Sequence, residues 1–373
     1  MDEQRFISDR ARGVEASGIR RIFELGASLA HPIDLSIGQP DFDVPVPVRR
    51  AAIQAIDSGH NKYTVTQGLQ PLREAIATGL KAELGWEPTV LVTCGVSGGL
   101  FLSVMATINP GDEVVFLDPY FVSYVQIVRM AGGTCVPVDA YPDFRLHPER
   151  LEAAITRRTR LLLLNSPNNP SGTTLSREEL AAAARIAEKH DLLIVTDEIY
   201  RDLVYDGPCP SIVPLAPNRT ILLRGFSKGH AMTGWRLGYA AGPRPIIEQM
   251  TKLQQFTFVC APSMVQHAGL AALATDVSEH ARDYARKRDL VYECLRATFD
   301  PVRPTGGFYI FPKTPRGFES ASAFVERAIA SNVLVIPGCV FSRKDTHFRV
   351  SYAATDETIR RGCEILCRLA AGC

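Results

Sequence analysis

The stretch GFSKGHAMTGWRLGYAAG, Gly225 to Gly242, sets Lys228 directly after Ser227 and follows it eight residues later with Arg236. No carboxylate lies between them, and the surroundings are small, apolar and rich in glycine. Cations in such a setting are costly unless an anion meets them. Either both side chains reach solvent or something anionic sits between them. Other polar groups follow apolar runs elsewhere in the chain. Gly95, Val96, Ser97 and Gly98 come after TVLVTC, and Asn168, Asn169 and Pro170 after RLLLLN; LLIVTDE carries Asp197, with Tyr200 close behind. A glycine turn that opens a helix offers free N–H groups and a positive dipole end, which suits a phosphate. Ser227 would add a hydroxyl donor to it and Arg236 a guanidinium. A phosphate, a carboxylate and a lysine amine would then converge.

Such groups converge only if the elements carrying them end side by side. TVLVTC, DEVVFLD, RLLLLN, LLIVTDE, TILLRGFS and RLGYAAG are short apolar runs. They alternate with helical stretches such as LFLSVMATI and SREELAAAARIAEKH, the latter opened by Ser176 and Glu179 at capping-box spacing. PYFVSY and SPNNPSGTTL read as loops. Continuous apolar strands alternating with helices indicate a mainly parallel sheet covered on both faces. Its ligand site is expected at the carboxyl ends of the strands. After about Pro262 the texture changes to a long charged helix, SEHARDYARKRDLVYECLRATF, and then GGFYIFPK, NVLVIPG and HFRVSYA. These predict a smaller α+β unit. The expected fold is therefore α/β: an N-terminal arm with part of the small domain over residues 1–45, a large domain over 46–275, and a C-terminal small domain over 276–373.

Composition narrows the partners. With 41 basic against 40 acidic side chains, the net charge is +1, and nothing in that balance draws the chain to nucleic acid or a membrane surface. The missing anion is expected to be a small molecule. The stretch 88–111 is free of charge and long enough to span a bilayer. Its glycines and small polar residues make it a strand, a glycine turn and a buried helix instead. The 9 cysteines include no CxxC pair, and Cys363 and Cys367 lie one helical turn apart without nearby histidines, so no metal site is expected. An odd count in a long chain predicts reduced thiols and a cytoplasmic protein. The N-terminal residues MDEQRFISDRARGVEASGIRRIF are charged throughout, unlike a secretory signal.

Taken in order, IDLSIGQPDFDVP, KYTVTQGLQPLREAIA, NSPNNPSGTTL, TDEIYRDLVYD, SKGHAMTGWRLGYAAG, GGFYIFP and HFRVSYA resemble the fold type I pyridoxal-phosphate enzymes. Within them the class I/II aminotransferases, aspartate/aromatic aminotransferase-like, are the match, and the resemblance covers nearly the whole chain. It implies pyridoxal 5′-phosphate as cofactor, carried on Lys228, which also moves the proton at the substrate Cα. Asp197 would pair with the pyridine nitrogen, Asn169 and Tyr200 with the ring oxygen, and Phe121 would stack on the ring. Val96, Ser97, Gly98, Ser227 and Arg236 would hold the phosphate. Arg349 would grip the substrate α-carboxylate as a bidentate fork, with Asn169 beside it and Gly38 on the arm closing over it. Tyr63 matches a tyrosine given to the neighbouring subunit's phosphate, so a homodimer with sites at its interface is implied. Read singly, Lys228 would be a surface lysine, Phe121 core, and Arg349, between Phe348 and Val350, a strand residue on a solvated face.

The activity implied is transfer of an amino group between a 2-amino acid and a 2-oxo acid by a ping-pong aldimine/ketimine exchange. A C–S lyase or decarboxylase on the same scaffold is the alternative. A ligand-sensing regulator is disfavoured, because such proteins carry an N-terminal DNA-binding domain and here the catalytic fold begins within the first few dozen residues. For the substrate, some aspartate-specific relatives place a lysine where this chain has Ser97 and a small hydroxyl residue where it has Ile19. Arg20 or Arg21 could still supply a second cation from the arm. Broad use of apolar or aromatic amino acids is the expectation.

Overall fold

The apolar runs become one seven-stranded sheet in the computed structural model, which describes residues 1, 3–16, 18–26 and 29–372 apart from the side chains at 20, 21, 23 and 25. A two-residue strand, β1 (Ile33–Asp34), comes first. Then β2 (Thr89–Cys94), β3 (Glu113–Asp118), β4 (Thr134–Asp139), β5 (Thr159–Asn165), β6 (Leu193–Asp197), β7 (Thr220–Gly225) and β8 (Leu237–Gly242) assemble in the order β2-β8-β7-β6-β5-β3-β4. All run parallel except β8, which is antiparallel to both β2 and β7. The segment 226–236 between β7 and β8 is too short for the helical crossover that a parallel neighbour needs.

Alternate residues along these strands feed cores on opposite faces of the sheet, three hydrophobic clusters among the described residues. Val114, Phe116, Leu161, Leu163 and Val195 join the core on one face, and Val115, Leu162, Leu164 and Ile194 the core on the other. Each such side chain contributes about 1.5–3 kcal/mol by leaving water, which is why a strand buried on both faces reads as an unbroken apolar run. The helix Arg177–Lys189 opens with both halves of the Ser176–Glu179 capping box formed. The stretch 88–111 forms β2 and the helix Gly95–Thr107, and no described helix is long and apolar enough to cross a membrane.

Two elements depart from the sequence expectation. β4, the edge strand TCVPVD, is mostly half-exposed and contains Pro137; an edge position tolerates the missing N–H but lacks the apolar signature. The helix Ser123–Met130 starts inside PYFVSY, which reads as a loop because aromatic residues obscure the helical period.

The C-terminal part begins with the helix Ser278–Phe299 and continues through β9 (Tyr309–Ile310), β10 (Val333–Leu334), β11 (Ile336–Pro337), β12 (Phe348–Ser351) and the helix Asp356–Ala371. β11, β12 and β9 form an antiparallel sheet, while β10 pairs in parallel with β1 from the N-terminal arm. The arm is thereby fastened to the C-terminal part. From there it reaches the ends of the large sheet.

Beneath those ends lies an ion network. Arg224 on β7 is buried and bonds Glu198 through Nε at 2.9 Å and Nη2 at 2.8 Å, and Glu83 through Nη1 at 2.9 Å. Burial pushes the Glu83 carboxyl up, but the bonds and charges of Arg224 and Arg201 win and hold it below its ordinary value. Glu198 also accepts from the Ser211 hydroxyl at 2.6 Å. Removing one member of a buried pair strands the other. Arg224→Met is therefore expected to lower unfolding free energy by about 3–5 kcal/mol in urea titration, with part recovered when Glu198→Gln is added. A loss under about 1 kcal/mol would mean that the network is not structural.

Candidate active site

Parallel register sets the polar groups side by side at one edge of the sheet. Asn165, last on β5, pairs with Asp197, last on β6, and Asp197 pairs with Leu223 on β7, two residues before that strand ends. The chain leaving β7 supplies Ser227 and Lys228. Helix Gly95–Thr107 begins directly off β2 and brings Val96 and Ser97, and β12 brings Arg349 from the C-terminal part. Together with Gly38 and Ile19 of the arm, they enclose a cavity of about 220 Å³ that Phe121, Asn169, Tyr200, Arg236, Tyr124 and Tyr309 also line. Gly98 and Tyr63 line instead an adjoining open cleft of about 1260 Å³, which shares Ser97 and Arg236 with the cavity. Tyr63 is 84% exposed.

Two titrating groups in the cavity are moved off their ordinary values in opposite senses. Burial, then the charges of Arg349 and Arg236, bring the Lys228 amine down to about 8, against a smaller pull from Asp197. Its Nζ donates to the Gly38 carbonyl and lies 5.7 Å from the ring centres of Tyr200 and Phe308. Burial raises the Asp197 carboxyl to about 6, although Tyr124 and the Ile199 N–H donate to its two oxygens at 2.9 and 3.2 Å. A lysine near neutrality is a usable base or nucleophile. A buried carboxylate with its lone pairs only partly used is ready for a cation or an N–H donor.

Arg349 is fully buried with no carboxylate partner among the described residues. Its Nη1 donates to Asn169 Oδ1 at 3.0 Å and its Nη2 to the Ser36 carbonyl at 2.7 Å. Nε has no partner. The guanidinium lies between two aromatic faces, 4.3 Å from the Tyr309 centre and 4.7 Å from that of Phe341, which offset part of its desolvation. Desolvation still draws its pKa below the usual value. The solvated face that simple strand alternation suggests is absent because all four residues of β12 are buried. A planar fork held rigid and lacking a counter-ion suits a carboxylate.

A second anion cradle forms where Arg236 meets the start of the helix Gly95–Thr107. Gly95 begins its helix at φ +71, with no side chain capping the first turn. A Cβ at Gly95 would stand 2.6 Å from Arg236 Nη2, so only glycine lets that guanidinium lie across the turn. Among the described residues, Arg236 bonds only backbone carbonyls, Thr233 at 3.0 Å and Cys94 at 3.3 Å. Uncapped N–H groups, the buried Ser227 hydroxyl and an arginine with no ion-pair partner among the described residues fit a phosphate. The side chains of Arg20 and Arg21 lie outside the described residues.

Sequence reasoning missed the contacts of Tyr124 and Tyr309. Tyr124 follows Phe121 by three residues, so a helical reading of PYFVSY would have put both on one face; their rings meet edge to face at 5.7 Å. Tyr309 lies in GGFYIFP, where nothing in the spacing marks that its hydroxyl accepts from Tyr200 at 3.2 Å.

The Lys228 shift has a stability consequence. The unfolded amine titrates near its ordinary value and the folded one at about 8, so the folded state carries a penalty below pH 8 that fades as pH rises to about 10.4. Lys228→Met should therefore stabilise the ligand-free protein at pH 7 by about 3 kcal/mol, with the gain disappearing by about pH 10.4. A gain independent of pH in thermal melts would show that the amine is not desolvated.

Comparison with known proteins gives the family of the chain. The family model described as aminotransferase class I and II matches residues 30–366. The aspartate/prephenate aminotransferase of Thermus thermophilus is 40% identical over 349 residues, 90% of each chain. Aromatic-amino-acid aminotransferase 2 of Thermococcus litoralis is 36% identical over 375 residues, 96% of each chain. The structure of the Thermus thermophilus aspartate aminotransferase with maleate superposes with a TM-score of 0.94 at 38% identity, covering 97% of this chain and 99% of that one. The chain therefore belongs to the class I and II aminotransferases, whose cofactor is pyridoxal 5′-phosphate.

Proposed function

We propose that this aminotransferase acts on apolar and aromatic 2-amino acids in preference to dicarboxylic ones. The observation that carries the proposal is the charge inventory of the cavity. Among the described residues lining it, the cations are Lys228, Arg236 and Arg349, and the side nearest the arm presents Ile19. Arg236 faces the phosphate cradle and Arg349 takes the α-carboxylate. A distal carboxylate would then meet Ile19 and Ser97, and burying it unpaired costs several kcal/mol.

Bound at this site, pyridoxal 5′-phosphate supplies the electron sink that makes a substrate α-proton removable. Residues proposed to hold it are Ser97, Gly98, Ser227 and Arg236 at the phosphate, Phe121 against the ring face, Asp197 at the ring nitrogen, and Tyr200 with Asn169 at the ring oxygen. Asp197 is kept in place by Tyr124, and its charge persists once a cation faces it. Arg349 orients the α-carboxylate so that the α-proton points to Lys228. The Lys228 amine, already near neutrality, takes that proton and returns it. Gly38 and Ile19 of the arm shield the site from water. All the named relatives reported above are aminotransferases, which favours transamination over a lyase or decarboxylase. Tyr63 at 84% exposure and Phe258 at 39% give the open cleft an exposed aromatic margin, and this supports a homodimer that covers it. A cytoplasmic location suits described cysteines that are all unpaired.

A half-reaction screen across amino donors, followed by the cofactor's absorbance, tests the substrate reading. The kcat/KM for aspartate should not exceed that for phenylalanine, and Arg349→Lys should weaken every donor alike because the lost fork grips a shared group. A strong preference for aspartate, or an Arg349→Lys effect confined to dicarboxylates, would overturn it.

A further inference from the structure

Residues 338–347 connect β11 to β12, and this connection lies against the end of β3. Several contacts fasten it there. The Tyr120 N–H donates to the Phe341 carbonyl at 2.7 Å, and the Arg343 N–H to Asp118 Oδ2 at 3.1 Å. The Tyr141 hydroxyl donates to Ser342 Oγ at 2.9 Å, and Lys344 Nζ to Asp139 Oδ2 at 2.8 Å. Asp118, Phe341 and Ser342 are all buried. Asp118 is the last residue of β3, so its carboxylate sits where that strand leaves the sheet.

Burial pushes the Asp118 carboxyl up, against the Ser342 hydroxyl and the Arg343 N–H, which favour its charge. Oδ1 has no hydrogen-bond partner among the described residues. For stability alone, an apolar residue would serve as well here. What the carboxylate adds is a directed grip on one backbone N–H. Two residues before that N–H stands Phe341, whose ring centre lies 4.7 Å from the Arg349 guanidinium. Phe121, directly after Tyr120, lines the cavity itself. The segment 118–121 therefore carries one aromatic ring of the cavity and fastens the ring packed on Arg349.

We propose that Asp118 is a positioning residue for substrate binding. By holding Arg343 it fixes Phe341 against Arg349, and so sets the plane in which the guanidinium meets the α-carboxylate. This inference rests on the reading that Arg349 takes that carboxylate. A fork free to tilt loses one of its two parallel bonds. The loss is felt in binding and not in proton transfer at Lys228.

The test uses cofactor-loaded protein and follows half-reactions with phenylalanine and with aspartate, which share the α-carboxylate. Binding of 3-phenylpropionate, a carboxylate without an amine, is measured beside them. Asp118→Ala should weaken 3-phenylpropionate and raise the half-saturating concentration of both donors about ten-fold, with limiting rates kept within about two-fold. Asp118→Asn, which retains an oxygen for the Arg343 N–H, should recover most of that loss. Affinity for pyridoxal 5′-phosphate should stay at the wild-type level. In a Phe341→Leu background Asp118→Ala should add little, because both act through one ring. Ser342→Ala should give a smaller change in the same direction, and it carries the test should Asp118→Ala fail to fold. An equal loss of cofactor affinity, a fall in limiting rate alone, or full additivity with Phe341→Leu would overturn the proposal. Arg349→Lys is the reference. If it leaves 3-phenylpropionate binding unchanged, the reading of Arg349 fails and the proposal with it. If it weakens binding while Asp118→Ala and Ser342→Ala do not, the positioning role alone fails.

Discussion

Positive charge gathered at the end of a parallel sheet, with too little negative charge to balance it, is the constraint on which this structure turns. Lys228, Arg236 and Arg349 line one cavity in which Asp197 is the acidic group. Each cation is tolerated by a different device. Lys228 surrenders part of its charge, with its pKa drawn to about 8. Arg349 is held between Tyr309 and Phe341, and Arg236 lies across a helix turn that must begin with glycine. None of these devices supplies an anion, so the folded chain is prepared for ligands that do.

The fold delivers this arrangement through two features. Parallel strands end on the same edge, so groups scattered from Asn165 to Lys228 become neighbours without long loops. The arm then crosses to the C-terminal part by pairing β1 with β10, which brings Ser36 and Gly38 against Arg349 and Lys228. By contrast, the Arg224 network with Glu83 and Glu198 is fully compensated. The same residue type is thus structural where carboxylates meet it and available for binding where they do not.

Much of this was legible in the residues. Unbroken apolar runs such as RLLLLN exposed the strands buried on both faces, and the capping box marked a helix start to the residue. Asp197, Asn169, Lys228 and Arg349 could be proposed together because each follows an apolar run or sits in an ordered motif. Long-range contacts were not legible. Tyr124 meets Asp197, 73 positions away in sequence, and Arg349 meets the Ser36 carbonyl across 313. No local pattern encodes such distances. Edge strand β4 was hidden because an exposed edge does not need an apolar run.

Everything proposed for the site rests on Lys228 being the amine that joins the cofactor. Borohydride reduction of the cofactor-loaded protein, followed by peptide mapping, tests this directly. A single reduced pyridoxyl phosphate adduct on the peptide containing Lys228, absent from Lys228→Ala, is the expected result. An adduct on another lysine, or one that persists in Lys228→Ala at the wild-type level, would contradict the assignment.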